Sequence, residues 1–160
     1  MKFFKPKFWE KENYTFLALL LLPISLVYQF FFFIKMIISQ KKDFNSPIIC
    51  IGNIYLGGTG KTPLSIKICE ILKNLNRNPA IVRKFYKEHD DEISLIKKKI
   101  KNIFTDNSRI KAINLAIKNN FDAIILDDGF QDNSIKKNLN ILCFNEKQLI
   151  GNGLILPAGP

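Results

Sequence analysis

The sequence predicts an α/β fold, a mostly parallel sheet flanked by helices, preceded by a membrane-associated helical segment. Three observations carry this reading. Short apolar runs rich in Ile alternate with stretches whose apolar residues recur at helical spacing. A glycine-rich run, Gly57-Gly58-Thr59-Gly60-Lys61-Thr62, sits between one such strand and one such helix. Ahead of both lies an uncharged stretch of 22 residues, Asn13 to Ile34.

That first stretch is long enough to cross a hydrocarbon core as a helix. It is too long for a cleavable signal, and no small-residue cleavage site follows it. As a core helix it would overwhelm the roughly 120 residues left to form a domain. Lys2, Lys5, Lys7 and Lys11 precede it and Lys35, Lys41 and Lys42 follow, so flanking charge does not orient a single crossing. Pro23, near the middle, allows two shorter helices that dip in and return. Trp9 and Tyr14 suit an interface, and the lysines suit anionic head groups. The preferred reading is an anchor over residues 1–42 that lies in or dips into the cytoplasmic leaflet, with a full crossing as the alternative.

Residues 43–160 carry the α/β pattern. Ile48-Ile49-Cys50-Ile51 reads as a buried strand over 48–52, and the glycine run leads into a helix of about 62–75. Asn76-Arg77-Asn78-Pro79 is a turn and Ala80-Ile81-Val82-Arg83 a short strand. A charged segment, 84–92, precedes a lysine-rich helix over 92–101. Ile103-Phe104-Thr105 is a minor strand, 108–119 a helix, and strands follow at 121–126 and 139–144. Right-handed crossovers would make such a sheet parallel.

Strand, glycine loop, Lys-Thr and helix form the context of a phosphate-binding P-loop, and of a P-loop-NTPase-like sheet. The glycines let backbone N–H groups turn onto phosphate oxygens at a helix N-terminus. Lys61 would reach the outer phosphates of ATP and Thr62 would support Mg²⁺. The match is imperfect, because Tyr55 stands where the template has its first Gly. Asp127-Asp128-Gly129-Phe130-Gln131 then follows directly on a strand, where carboxylates face the ligand crevice of an α/β sheet. No positive residue stands beside the pair in the sequence, so a metal cation is its expected partner.

With 24 Lys+Arg against 14 Asp+Glu, the net charge of +10 favours anionic partners. Nucleic acid is not expected among them, since no aromatic-interleaved basic stripe or recognised module is present. Runs such as Ile96-Lys97-Lys98-Lys99-Ile100-Lys101 read as solvated helix faces. Cys50, Cys69 and Cys143 stand singly in apolar runs and are expected to be buried, reduced thiols. His89, the only histidine, is expected at the surface.

Four segments taken together carry a resemblance. Gly52-Asn53-Ile54, Gly57-Gly58-Thr59-Gly60-Lys61-Thr62-Pro63, Asp127-Asp128-Gly129-Phe130-Gln131 and Gly151-Asn152-Gly153-Leu154-Ile155-Leu156-Pro157-Ala158-Gly159-Pro160 resemble the tetraacyldisaccharide 4′-kinase family of Gram-negative bacteria, in order. The apolar N-terminus, with Phe8-Trp9 ahead of it, resembles that family's membrane anchor. The resemblance implies transfer of the γ-phosphate of ATP, with Mg²⁺, to the 4′-hydroxyl of a tetraacylated glucosamine disaccharide 1-phosphate, giving lipid IVA. The acceptor would lie in the inner membrane and the site on its cytoplasmic face, against an anionic lipid surface.

The same resemblance assigns roles. Asp91 would be the base and Glu92 its neighbour, although Asp90-Asp91-Glu92 also reads as a solvated helix start. Arg109 would lie near the reacting phosphates, Asp127 and Asp128 at the metal, and Gln131 after them, with Asp132 where a His is usual. Arg83 and Tyr86 fall near an Arg-Gly-Tyr motif that Arg83-Lys84-Phe85-Tyr86 does not reproduce. The family is about twice as long, and the segment between Arg83 and Asp91 is shorter here. A C-terminal lobe, or a second chain in its place, is therefore expected to be missing. The alternatives are a membrane-anchored nucleotide-binding module or an inactive, truncated P-loop NTPase; a nucleotide-hydrolysing switch would need mobile switch loops and a positioned water.

Overall fold

A computed structural model describes residues 6–9, 15–53, 59–85, 102–146 and 150–160. Its helices are α1 (Phe16–Ile38), α2 (Lys61–Asn74) and α3 (Arg109–Lys118), with a 3-10 turn at Lys7–Trp9. Its strands are β1 (Ile48–Gly52), β2 (Pro79–Lys84), β3 (Ile103–Asp106), β4 (Ala123–Asp127) and β5 (Leu139–Leu142). The helix expected over 92–101 and the surface position expected for His89 lie outside the described residues. Contacts divide the chain into two compact units, one of residues 41–53 and 60–143, the other of residues 1–40, 54–59 and 144–160.

The first unit is the sheet. All described strands run parallel, in the order β3-β2-β4-β1-β5. Because side chains alternate across a strand, each apolar run serves two faces. Ile48, Cys50, Ala80, Val82, Ile124 and Leu126 pack on one face against Ala112, Ile113 and Ala116 of α3. Ile51, Ile81 and Ile125 pack on the other, against Cys69, Leu64, Ile68 and Leu72 of α2. Each fully buried Ile stabilises the fold by about 1.5–3 kcal/mol relative to an exposed one. Cys50, Cys69 and Cys143 are buried free thiols, as their apolar surroundings predict.

Local chemistry sets the ends of these elements. Gly60 takes φ 79°, a left-handed conformation that costs glycine little, and α2 begins at the next residue. Pro63 sits in the first turn of α2, where its missing N–H leaves no bond unmade. Asn76 and Asn120, at φ 58° and 63°, turn the chain out of α2 and α3. β1 and β4 are hydrogen-bonded neighbours, with Ile51 opposite Asp127. β1 and β4 therefore end side by side at the carboxyl edge of the sheet, the edge where open α/β sheets bind ligands.

The other unit is built on α1, which Thr15 caps by accepting a hydrogen bond from the Ala18 N–H at 3.4 Å. The break that Pro23 allows is not taken: α1 runs unbroken from Phe16 to Ile38 with Pro23 inside it. The ring removes one donor from the helical ladder without ending the helix. Ala18, Leu21, Leu22 and Ser25 form the shielded stripe of α1. Ser25 Oγ donates to the Ile155 carbonyl at 2.8 Å and accepts from the Ala158 N–H at 3.1 Å. Trp9 Nε1 donates to the Pro157 carbonyl at 3.1 Å. Asn152 closes the segment on itself, donating from Nδ2 to the Ala158 carbonyl and accepting at Oδ1 from the Leu154 N–H. The Gly151–Pro160 motif thus serves as a backbone clamp on α1.

Candidate phosphate and metal site

Strand alternation places the central carboxylate. Asp127 shares a face with Ile125, and Arg83 shares the same face with Ile81 on the adjacent strand, toward α2. The first turn of α2 meets them there. Thr62 Oγ1 donates to Asp127 Oδ2 at 3.3 Å, and Ser65 Oγ donates to Oδ1 at 3.1 Å. Arg83 Nη1 lies 3.5 Å from Asp127 Oδ2. The Asp127 side chain is 1% exposed, and its burial pushes the carboxyl above the ordinary carboxylate value. The Arg83 charge and the Ser65 and Thr62 hydroxyls oppose that shift, and the Asp128 charge adds to it.

Asp128 turns the chain away from the sheet with φ 59°, its N–H donating to the Ile51 carbonyl at 2.9 Å. Phe130 then closes so tightly on β1 that a Cβ at Gly52 would meet the Phe130 Cβ at 2.4 Å, so only glycine fits there. The half-exposed Asp128 carboxylate lies 3.5 Å from Lys61 Nζ. Arg109, the first residue of α3, reaches the same turn, donating from Nη2 to the Asp128 carbonyl. Its Nη1 lies 3.4 Å from Asp132 Oδ2. Burial raises the Asp132 carboxyl, but hydrogen bonds from Ser134 and the Arg109 charge outweigh this and the net direction is down.

Of the residues singled out in the sequence, Lys61, Thr62, Asp127, Asp128 and Arg109 come together at this edge. Gln131 is exposed on the following turn, and Thr59 falls in the other compact unit. Gly57, Gly58, Tyr86, Asp91 and Glu92 lie outside the described residues. The expectation that the aspartate pair lacks positive neighbours is corrected: Arg83 and Lys61 each stand 3.5 Å from one of its carboxylates. Both are remote in sequence, one brought by the β2–β4 pairing and the other by the start of α2. Ser65 was not singled out, although its position three residues after Thr62 puts both on one helix face.

The donor set fits Mg²⁺. Asp127, Asp128 and Thr62 present hard oxygens, and a divalent cation would favour the ionised form of Asp127 that burial disfavours. Among the described residues there is no group of three His, Cys, Asp or Glu able to cage a metal. Mg²⁺ does not need one, since it is held by one or two carboxylates together with substrate phosphates.

Comparison with known proteins gives the family. The family model described as tetraacyldisaccharide-1-P 4′-kinase matches residues 17–160. A tetraacyldisaccharide 4′-kinase of Pelagibacter ubique is 48% identical over 162 residues, covering all of this chain and 50% of the relative. One from Rickettsia canadensis is 35% identical over 177 residues, covering all of this chain and 53% of the relative. The crystal structure of LpxK from Aquifex aeolicus in complex with ATP superposes with a TM-score of 0.71 at 26% identity, covering 89% of this chain and 53% of that one. The chain spans about half the length of the relatives it matches. It belongs to the tetraacyldisaccharide-1-P 4′-kinase family.

Proposed function

We propose that this chain is the phosphate-binding half of a membrane-associated, ATP-dependent lipid kinase. The acceptor would be the 4′-hydroxyl of a tetraacyl glucosamine disaccharide 1-phosphate and the product lipid IVA. The observation that carries this is the convergence of Lys61, Thr62, Asp127 and Asp128 at the carboxyl edge of β1 and β4. In the transfer, the acceptor oxygen forms a bond to the γ-phosphorus as the bridging bond to the β-phosphate breaks. ADP leaves with the electron pair, and the hydroxyl proton passes to a carboxylate. Lys61 offsets charge on the outer phosphates, and Arg109 adds positive charge beside the Asp128 turn. Bound Mg²⁺, held by Thr62, Asp127 and Asp128, would neutralise phosphate charge. Asp91, with Glu92 beside it, is the residue we assign as base.

The apolar α1 supports an acceptor held in a lipid bilayer, on the cytoplasmic face where ATP is available. The net charge of +10 supports contact with anionic lipid rather than nucleic acid. A second reading follows from the half-length match: these residues bind nucleotide, and transfer requires a further lobe or chain.

The test is phosphate transfer from labelled ATP to the tetraacyl disaccharide 1-phosphate by the chain in membranes, with Lys61→Ala as the comparison. We expect Lys61→Ala to lower transfer by about a thousandfold while membrane association persists. Wild-type transfer by that variant would remove Lys61 from the site. Nucleotide binding that depends on Lys61, without transfer, would establish the second reading.

A further inference from the structure

We propose that Asp132 is a positioning residue for this site, holding the Arg109 guanidinium at the strand-end turn so that it meets the ATP phosphates preset. The inference rests on the kinase reading above. Arg109 and Asp132 side chains are only 11% and 21% exposed, so their pairing is not a solvent-screened surface contact. Asp132 is itself fixed. Its N–H donates to the Gly129 carbonyl at 3.2 Å, and its Oδ1 accepts from both the N–H and the hydroxyl of Ser134. That leaves Oδ2 directed at Arg109 Nη1, 3.4 Å away. The opposite corner of the guanidinium donates to the Asp128 carbonyl, one residue from the buried Asp127 and on the residue whose carboxylate pairs with Lys61. Arg109 Nε, also buried, has no hydrogen-bond partner among the described residues, so the fork is not saturated by the protein.

A long arginine left to itself loses rotamer freedom when a phosphate binds, which weakens binding; one already held on two sides does not. A purely structural ion pair would stabilise the β4–β5 connection and leave phosphate affinity independent of the pairing. The two roles separate in a double-mutant cycle.

The experiment measures Mg·ATP affinity by calorimetry on the full chain in detergent micelles, for the wild type, Asp132→Asn, Arg109→Ala and the double variant. Asparagine keeps an oxygen for Ser134 and loses the charge facing Arg109. We expect Asp132→Asn to weaken binding about tenfold in the wild-type background and less than about twofold when Arg109 is already alanine. If thermal unfolding shows Asp132→Asn misfolded, Ser134→Ala, which frees the carboxylate without removing it, takes its place with a smaller loss expected. Unchanged affinity, or the same loss in both backgrounds, overturns the inference. Lys61→Ala separates this failure from that of the kinase reading. If Lys61→Ala abolishes binding and the cycle is flat, only the role of Asp132 falls. If the wild type binds no Mg·ATP, or binds it independently of Lys61, both fall.

Discussion

Asp127 is a buried carboxylate, 1% exposed and facing Arg83 across 3.5 Å. Removing one partner of such a pair leaves a buried charge uncompensated, at a cost of about 3–5 kcal/mol. We expect Arg83→Met to destabilise the fold by about that much at neutral pH. Its sign with pH follows from the carboxyl. Asp127 is already raised by burial above the ordinary 3.8, with Arg83 holding it down. The native state therefore binds more protons than the unfolded one between 3.8 and the folded value, and stability from this group is lost as pH rises through that window. Arg83→Met pushes the carboxyl higher and widens the window. Its deficit, read from denaturant titrations, should be larger at pH 8 than at pH 5, and an equal deficit at both would contradict the pairing. Lys61, Thr62, Asp127 and Asp128 were legible in the sequence because contiguous motifs encode them. Arg83 drew notice only through a motif it does not reproduce; its pairing with Asp127, and the place of Ser65, were not legible, because they depend on which strand lies beside β4 and which face α2 turns inward.

At the scale of elements, apolar runs and helical spacing marked out each described strand and helix to within a few residues. Periodicity sees burial, which is local. The order β3-β2-β4-β1-β5 is set by packing between distant segments and left no periodic trace. The Gly151–Pro160 segment was legible as a motif but not as a clamp, since its hold on α1 passes through backbone groups and the single hydroxyl of Ser25. Ser25 is 3% exposed and Ala158 fully buried, so the Ala158 N–H has no ready access to water. Ser25→Ala, which removes the hydroxyl and adds nothing, should leave the Ala158 N–H unpaired at a cost of about 1–3 kcal/mol, while the Ile155 carbonyl keeps its bond from the Gly159 N–H at 3.1 Å. The direct measurement is amide hydrogen exchange at Ala158, expected to accelerate about tenfold or more while exchange at Leu126 in β4 stays the same. Unchanged exchange at Ala158 would mean that the clamp does not depend on the hydroxyl.

For the molecule as a whole, α1 could meet a bilayer in two geometries, lying flat or crossing. A helix lying flat at an interface needs one polar face. Outside the stripe of Ala18, Leu21, Leu22 and Ser25, α1 instead exposes Leu20, Ile24, Val27, Phe31 and Ile38 on one flank, and Leu19, Leu26, Phe30, Phe33 and Ile37 on another. At a bilayer, an apolar surface this extensive would favour lipid on several sides over a flat pose. Its 23 residues are long and apolar enough to cross a membrane. Val27, midway along α1 and 56% exposed, distinguishes the two geometries. At the centre of a crossing helix an arginine costs about 2.5–3.5 kcal/mol, whereas near an interface its long stem carries the charge to water at little cost. In vesicle flotation, Val27→Arg is therefore expected to lower the bound-to-free ratio by about a hundredfold if α1 crosses, and by less than about threefold if it lies flat. Nucleotide binding that depends on Lys61 should be retained in the variant, because Val27 and Lys61 belong to different compact units. Loss of binding together with loss of flotation would instead show that lipid contact through α1 is needed to fold the nucleotide site.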